Sequence, residues 1–188
     1  ITQIENGERV LLSWSGTMFE YLMPSLLLRS HRGTLLDQSC RASVAHQIAT
    51  GRQHQKPWGI SESGFYNFDA AFNYQYRAFG VPGLGFKREL GEDQVVAPYA
   101  SILALSYSPQ SVWQNLQALT ALGLMGHYGM YESVDFTPSH LDRGQEYAIV
   151  RSYMAHHQGM ILVALLNALE NERMVERFHG DPHIQSIE

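Results

Sequence analysis

The chain has 188 residues, of which 45% are hydrophobic, 11% aromatic and 16% charged, with 16 glycines, one cysteine and a net charge of −5. That length and apolar share are enough for one globular core and exclude a disordered chain. The net negative charge leaves no basic surface for a phosphate backbone, so nucleic acid is not an expected partner, and few charges beside many aromatics point to a neutral ligand. Cys40 has no second cysteine to pair with, which fits a reducing compartment. The longest apolar run, Gly159 to Leu169, is well short of the ~18 residues of a membrane span, so no bilayer crossing is expected.

Residues 1–9 carry acidic residues and lack a basic stretch followed by an apolar one, so no leader is expected there. The abrupt ends suggest a piece of a larger protein. From Thr17 to Leu28 the residues are apolar on most faces, predicting a buried helix with a kink or a late start at Pro24. Thr34 is a good N-cap, Leu36, Cys40, Val44 and Ile48 recur every four residues, and Gly51 reads as the stop. Only His31 to Gly33 separate these two helices, which predicts an antiparallel hairpin. Arg52 to Ala97 has no long helical period; it reads as a packed aromatic loop, with part of Phe68 to Tyr76 helical. Pro98 to Tyr107 predicts a short helix, Ser108-Pro109 opens another to Leu122, and Gly123 ends it. A second irregular segment, Leu124 to Gly144, precedes a helix over Glu146 to Leu169 and a short one over Glu172 to Phe178.

The connections run short, long, short, long, short. In an up-down array of helices this places both long loops at one end, and Glu62 and Glu132 on one rim. The expected fold is therefore all-α, an α/α toroid of which residues 1–188 form part of one domain, roughly half a barrel.

Two stretches carry the candidate chemistry. Pro57-Trp58-Gly59-Ile60-Ser61-Glu62-Ser63-Gly64 sets a carboxylate between small hydroxyl residues, with an indole upstream; His127-Tyr128-Gly129-Met130-Tyr131-Glu132-Ser133 repeats that make-up. An indole stacks on the apolar face of a pyranose and a carboxylate handles hydroxyls or protons. Glycosyl transfer needs two carboxylates flanking the scissile bond, and Glu62 and Glu132 are the expected pair. The plain alternative for each is a cap or a loop amide partner. Glu20, in an apolar helix, is a third candidate, since a buried carboxylate must be paired or functional; Asp69 and Asp135 read as loop or cap residues. Trp14, Trp58, Tyr66, Tyr128 and Tyr131 are candidate sugar platforms, each with a core reading beside it. Of His156 and His157, one is expected in the core and the other, with Gln158, as a neutral donor to sugar hydroxyls. Arg151, one turn before, suits a carboxylate. No third ligand stands at zinc spacing, so no metal is expected. Gly80 to Gly85 lacks the strand and helix of a dinucleotide loop, and no cofactor is expected. No Ser has a His/Asp arrangement around it, and Cys40 falls on a buried stripe, so neither is an expected nucleophile.

Trp14 to Pro24, Pro57 to Gly64, Tyr74-Gln75-Tyr76 with Phe79 to Gly85, Val96 to Ala100, Gly129 to Glu132 and Met154 to Met160 together resemble one family over nearly the whole chain. It is the glycoamylase-like, or cyclization, domain of cyclic β-1,2-glucan synthases. The resemblance implies an (α/α)6 barrel, here its C-terminal portion, and retaining transglycosylation that closes linear β-1,2-glucan into a ring using Glu62 and Glu132. It further implies a soluble segment of a large polyprotein at the cytoplasmic face of the bacterial inner membrane, with β-glucan and the other domains as partners. The sequence departs from the family pattern at Ser133, where Ala is common, and at Gln53-His54-Gln55. A glucoamylase-like hydrolase and a non-catalytic glucan-binding half-domain stand as alternatives.

Overall fold

The computed structural model describes residues 2–3, 7, 9–87 and 90–187, so the stretch 1–9 read for a leader lies partly outside them. A short antiparallel pair, β1 (Thr2–Gln3) and β2 (Arg9–Val10), precedes helix α1 (Met18–Leu22), which passes into a 3₁₀ turn at Met23–Leu26. Helix α2 (Leu35–Gln53) leads to the antiparallel hairpin of β3 (Ser63–Phe68) and β4 (Tyr74–Arg77). Strand β5 (Val95–Val96), helix α3 (Pro98–Ile102) with a 3₁₀ continuation at Leu103–Ser106, and helix α4 (Pro109–Ala121) follow. The small hairpin β6 (Met125–Gly126) and β7 (Gly129–Met130) comes before β8 (Ser133–Asp135) and β9 (Ala148–Val150). Helices α5 (Ala155–Leu169), α6 (Arg173–His179) and α7 (Pro182–Gln185) close the chain. Among the described residues no helix is long and apolar enough to cross a membrane.

Helices α1, α2 and α7 start on a side chain that accepts from their free N–H groups. Thr34 caps α2 by accepting from the Asp37 amide at 3.2 Å, and Pro109 opens α4 at a position where its missing N–H costs nothing. Pro24 falls at the start of the 3₁₀ turn and breaks the first helix there, as the sequence predicts. Helix α2 runs past Gly51 to Gln53, and the left-handed residue beyond it is Gln55, with φ 55°.

The all-α expectation is corrected by the sheets. Strands β5, β8 and β9 form a three-stranded antiparallel sheet with Val95 opposite Asp135 and Ser133 opposite Val150. The segment around Phe68 to Tyr76, expected to be partly helical, is a strand, a turn and a strand; the Asp69 carboxylate takes the Ala71 and Asn73 amides at 2.8 and 2.9 Å and folds the chain back. The helix expected from Glu146 begins only at Ala155, because Ile149 and Val150 are β-branched and pair with β8.

Three apolar clusters form the core. One joins Met18 and Leu22 of α1 to Tyr99, Leu103 and Val112; a second holds Val96, Leu119, Val134 and Phe136; a third holds Phe65, Phe79 and Val95. Ile60 packs against all three. The loop leading to Glu62 therefore rests where the helical layer and the sheet meet.

Candidate active site

Glu62 stands at the end of the loop 57–62, and two buried carboxamides hold that loop by its backbone. Asn115 of α4 accepts from the Trp58 N–H at 2.9 Å and donates to the Trp58 carbonyl at 2.7 Å. Gln47 of α2 does the same for Ile60, at 2.9 and 2.8 Å. Each carboxamide matches the donor and acceptor of one residue, so this buried backbone keeps its hydrogen bonds. Gly59, with φ 121°, lies where a Cβ would meet Ser101 Oγ at 2.6 Å, so only glycine lets the loop seat on α3. Trp58, expected as a sugar platform, is instead 6% exposed and part of the core under this loop.

The Glu62 carboxylate is half-buried and takes two hydroxyl donors: Thr17 Oγ1 to Oε1 at 3.0 Å and Ser61 Oγ to Oε2 at 2.7 Å. Thr17 is also the N-cap of α1, accepting from the Glu20 amide at 3.2 Å, which turns its hydrogen toward Glu62. Glu20 completes a capping box: its carboxylate receives the Ser15 N–H at 2.9 and 3.1 Å and the Gly16 N–H at 3.0 Å. Its oxygens thus serve the start of α1, and its half-buried side chain also borders the cavity beside α2.

Glu132 precedes β8 and is 3% exposed. Its Oε1 accepts from the Gly64 N–H at 3.1 Å, two residues beyond Glu62. A Cβ at Gly64 would meet Glu132 Cγ at 3.2 Å, so the missing side chain lets the carboxylate close on β3. His157, on the first turn of α5, places Nδ1 2.9 Å from Oε1 and 3.0 Å from Oε2. It is 1% exposed, so of the histidine pair it is the buried one, and its partner is a carboxylate rather than a sugar hydroxyl. Its ring stacks on Tyr99 with centroids 3.8 Å apart and planes 15° off parallel. The Tyr99 hydroxyl in turn reaches Ser61 Oγ and the Glu62 carbonyl, each at 2.8 Å. Tyr76 of β4 brings its hydroxyl 3.5 Å from His157 Nε2; burial first, then Glu62 and Glu132, push its phenol up to about 12.

The other expected contacts have partners of their own. Tyr66 packs edge-on to Phe68 at 5.2 Å, and its amide donates to Asp135, a fully buried carboxylate that also takes His140 Nδ1 at 2.7 Å. Tyr131 is half-buried against Tyr153, with the Arg151 guanidinium 5.8 Å over its ring, while Tyr128 and Trp14 are open at 78% and 67% exposure. His156 is exposed, and burial, then the neighbouring His157, lowers its pKa from the usual histidine value. Gln158 Nε2 reaches the Met130 carbonyl at 3.4 Å. A cavity of about 380 Å³ between β2, α1 and α2 is lined by Leu11, Tyr21, Leu28 and Cys40, and neither Glu62 nor Glu132 borders it. Among the described residues no three His, Cys, Asp or Glu side chains cluster as metal ligands would.

Sequence reasoning gave no site role to Thr17, Tyr76 or Tyr99, and took Ser61 only as a small hydroxyl beside Glu62. A signal existed for one of them: Thr17-Met18-Phe19-Glu20 has the spacing of a capping box.

The fold built around this site is that of known carbohydrate-active proteins. The Glycoamylase family model, described as "Putative glucoamylase", matches residues 2–181. A solved structure from Bacteroides uniformis with the same description superposes with a TM-score of 0.69 at 20% identity, over 98% of this chain and 43% of that one. An endo-β-1,2-glucanase from Chitinophaga pinensis, solved with sophorotriose and glucose, gives 0.70 at 18% identity, over 99% of this chain and 44% of that one. The chain belongs to the glycoamylase family. It is 49% identical over 178 residues to the cyclic β-(1,2)-glucan synthase NdvB of Rhizobium meliloti (strain 1021), covering 95% of this chain and spanning 6% of the length of that relative.

Proposed function

We propose that this segment belongs to a carbohydrate-active enzyme that rearranges β-1,2-glucan, closing a linear chain into a ring by retaining transglycosylation at Glu62 and Glu132. The observation that carries the reading is the joining of the two loops through Gly64, whose N–H binds Glu132 two residues after Glu62. Likeness to the glucan synthase NdvB supports the substrate class. In this reading one carboxylate attacks the anomeric carbon while the other protonates the departing glycosidic oxygen. A hydroxyl of the bound chain then attacks the glycosyl–enzyme ester, giving its proton back to the second carboxylate.

The donors suggest the roles. Glu62 meets the Thr17 hydroxyl, which can donate to an ionised carboxylate or turn and accept from a protonated one, as an acid/base needs, while Ser61 Oγ, accepting from Tyr99 and the Phe19 amide, stays a donor to it. Glu132 meets the Gly64 N–H, which can only donate and so suits a nucleophile that stays acceptor-only. Tyr131, Tyr128, Tyr66 and exposed His156 are the proposed sugar contacts.

We further read residues 1–188 as part of one domain completed to an (α/α)6 toroid by chain outside this segment. The outward face of α5, with Leu162 and Leu169 67% and 78% exposed, supports this by offering an apolar surface to further helices. The whole would be a polyprotein at the cytoplasmic face of the inner membrane, with β-glucan and its other domains as partners. Simple hydrolysis is the second reading, favoured by the superposition on an endo-β-1,2-glucanase.

Product analysis of the full chain acting on linear β-1,2-glucan tests both. Cyclic products without new reducing ends, lost in Glu62→Gln and in Glu132→Gln, support the first reading; new reducing ends support hydrolysis. Full turnover in either variant removes that carboxylate from the mechanism.

A further inference from the structure

We propose that Tyr99 is a positioning residue that sets Glu62 and Glu132 relative to one another, an inference that rests on the two-carboxylate reading above. Tyr99 lies on the first turn of α3 and is 2% exposed, so close packing on every side holds its ring to one orientation. Its two ends serve different carboxylates. The hydroxyl lies 2.8 Å from Ser61 Oγ and 2.8 Å from the Glu62 carbonyl. Ser61 Oγ passes its own hydrogen to Glu62 Oε2 at 2.7 Å while accepting from the Phe19 amide at 3.0 Å. The loop peptide and the Glu62 side chain are thus both referred to one phenol oxygen.

The ring face does the same for the other carboxylate. It stacks on His157 at 3.8 Å, and His157 Nδ1 holds both oxygens of Glu132. An imidazole in this stack cannot swing without displacing the tyrosine, so the direction of its N–H toward Glu132 is set by α3. Burial, aided by Glu62 and Glu132, raises the Tyr99 phenol well above its ordinary 10.0, which keeps the hydroxyl a donor throughout the working range. Tyr99 touches neither reacting atom. Its contribution is distance control between two groups, to which glycosyl transfer is sensitive at the scale of about 1 Å.

The test uses the full chain on linear β-1,2-glucan. Tyr99→Phe keeps the stack and removes both hydroxyl contacts; the expected result is a fall in kcat of about tenfold to a hundredfold with KM within about twofold. Ser61→Ala, which leaves Tyr99 in place, should show the same kcat-selective loss and covers the case in which Tyr99→Phe folds poorly. Wild-type kcat in folded Tyr99→Phe, or a loss confined to KM or to thermal stability, overturns the inference while leaving the carboxylate reading intact. A fully active Glu62→Gln overturns that reading itself.

Discussion

His157 Nδ1 lies 2.9 Å from one oxygen of Glu132 and 3.0 Å from the other, so a single imidazole nitrogen bridges a carboxylate that is 3% exposed. Without it, Gly64 N–H is the remaining donor on those oxygens among the described residues. A buried acceptor left short of partners costs about 1–3 kcal/mol.

His157→Phe tests this contact. Phenylalanine can keep the face on Tyr99 but offers no N–H. We expect turnover to fall by about a hundredfold or more, together with about 1–3 kcal/mol of stability. Steady-state kinetics beside denaturant unfolding separates the two effects; unchanged kcat would show that the imidazole is mere packing.

Gln47 is 1% exposed and bonds both the N–H and the carbonyl of Ile60. Gln47→Leu fills much of the volume and strands both groups. The expected cost is about 2–3 kcal/mol, or a Tm lower by roughly 4–12 °C. Gln38→Leu on the exposed side of the same helix should change stability by no more than about 0.5 kcal/mol. Equal Tm values for the two variants would rule out the clamp.

Four phenols, Tyr21, Tyr76, Tyr99 and Tyr107, are raised from the ordinary 10.0, each chiefly by burial. Above pH 10 the unfolded chain loses these protons before the folded one does. The folded state then binds more protons, so stability present below 10 falls as pH rises through the Tyr76 value of about 12. Cys40, raised from 9.0 by burial, adds in the same sense; Lys56, lowered from 10.5 by burial, opposes it. Four phenols and a thiol outnumber one amine, so the expected outcome is alkaline destabilisation, read by unfolding curves beside ultraviolet titration of the phenols. Native phenols that all ionise near 10 would contradict it.

What could be read from the chain was local. Thr34 before an every-fourth-residue stripe gives α2, and Ser108-Pro109 gives α4, because caps and proline act on their own neighbours. The two Glu-Ser stretches stand out by composition, and the structure places Gly64, just past the first, against Glu132 in the second. The strands were hidden because Val95–Val96 is two residues long and takes its partner from residues 134 and 135. Tyr147, Val150, Met154 and His157 fit a helical spacing by coincidence; β8 claims Val150 first. Trp58 carries no mark of burial in its own neighbours, since Asn115 and the core that enclose it come from elsewhere in the chain. Gln47 and Asn115 did leave a sign: a carboxamide on an apolar helix face needs a partner, and here both find the same loop.

Ile60, two positions before Glu62, touches all three apolar clusters. A loop seated in this way has no soft side on which to hinge, since lifting it would open the whole molecule at once. Glu62, two positions further on, is therefore carried by backbone that gives way only when the core itself does.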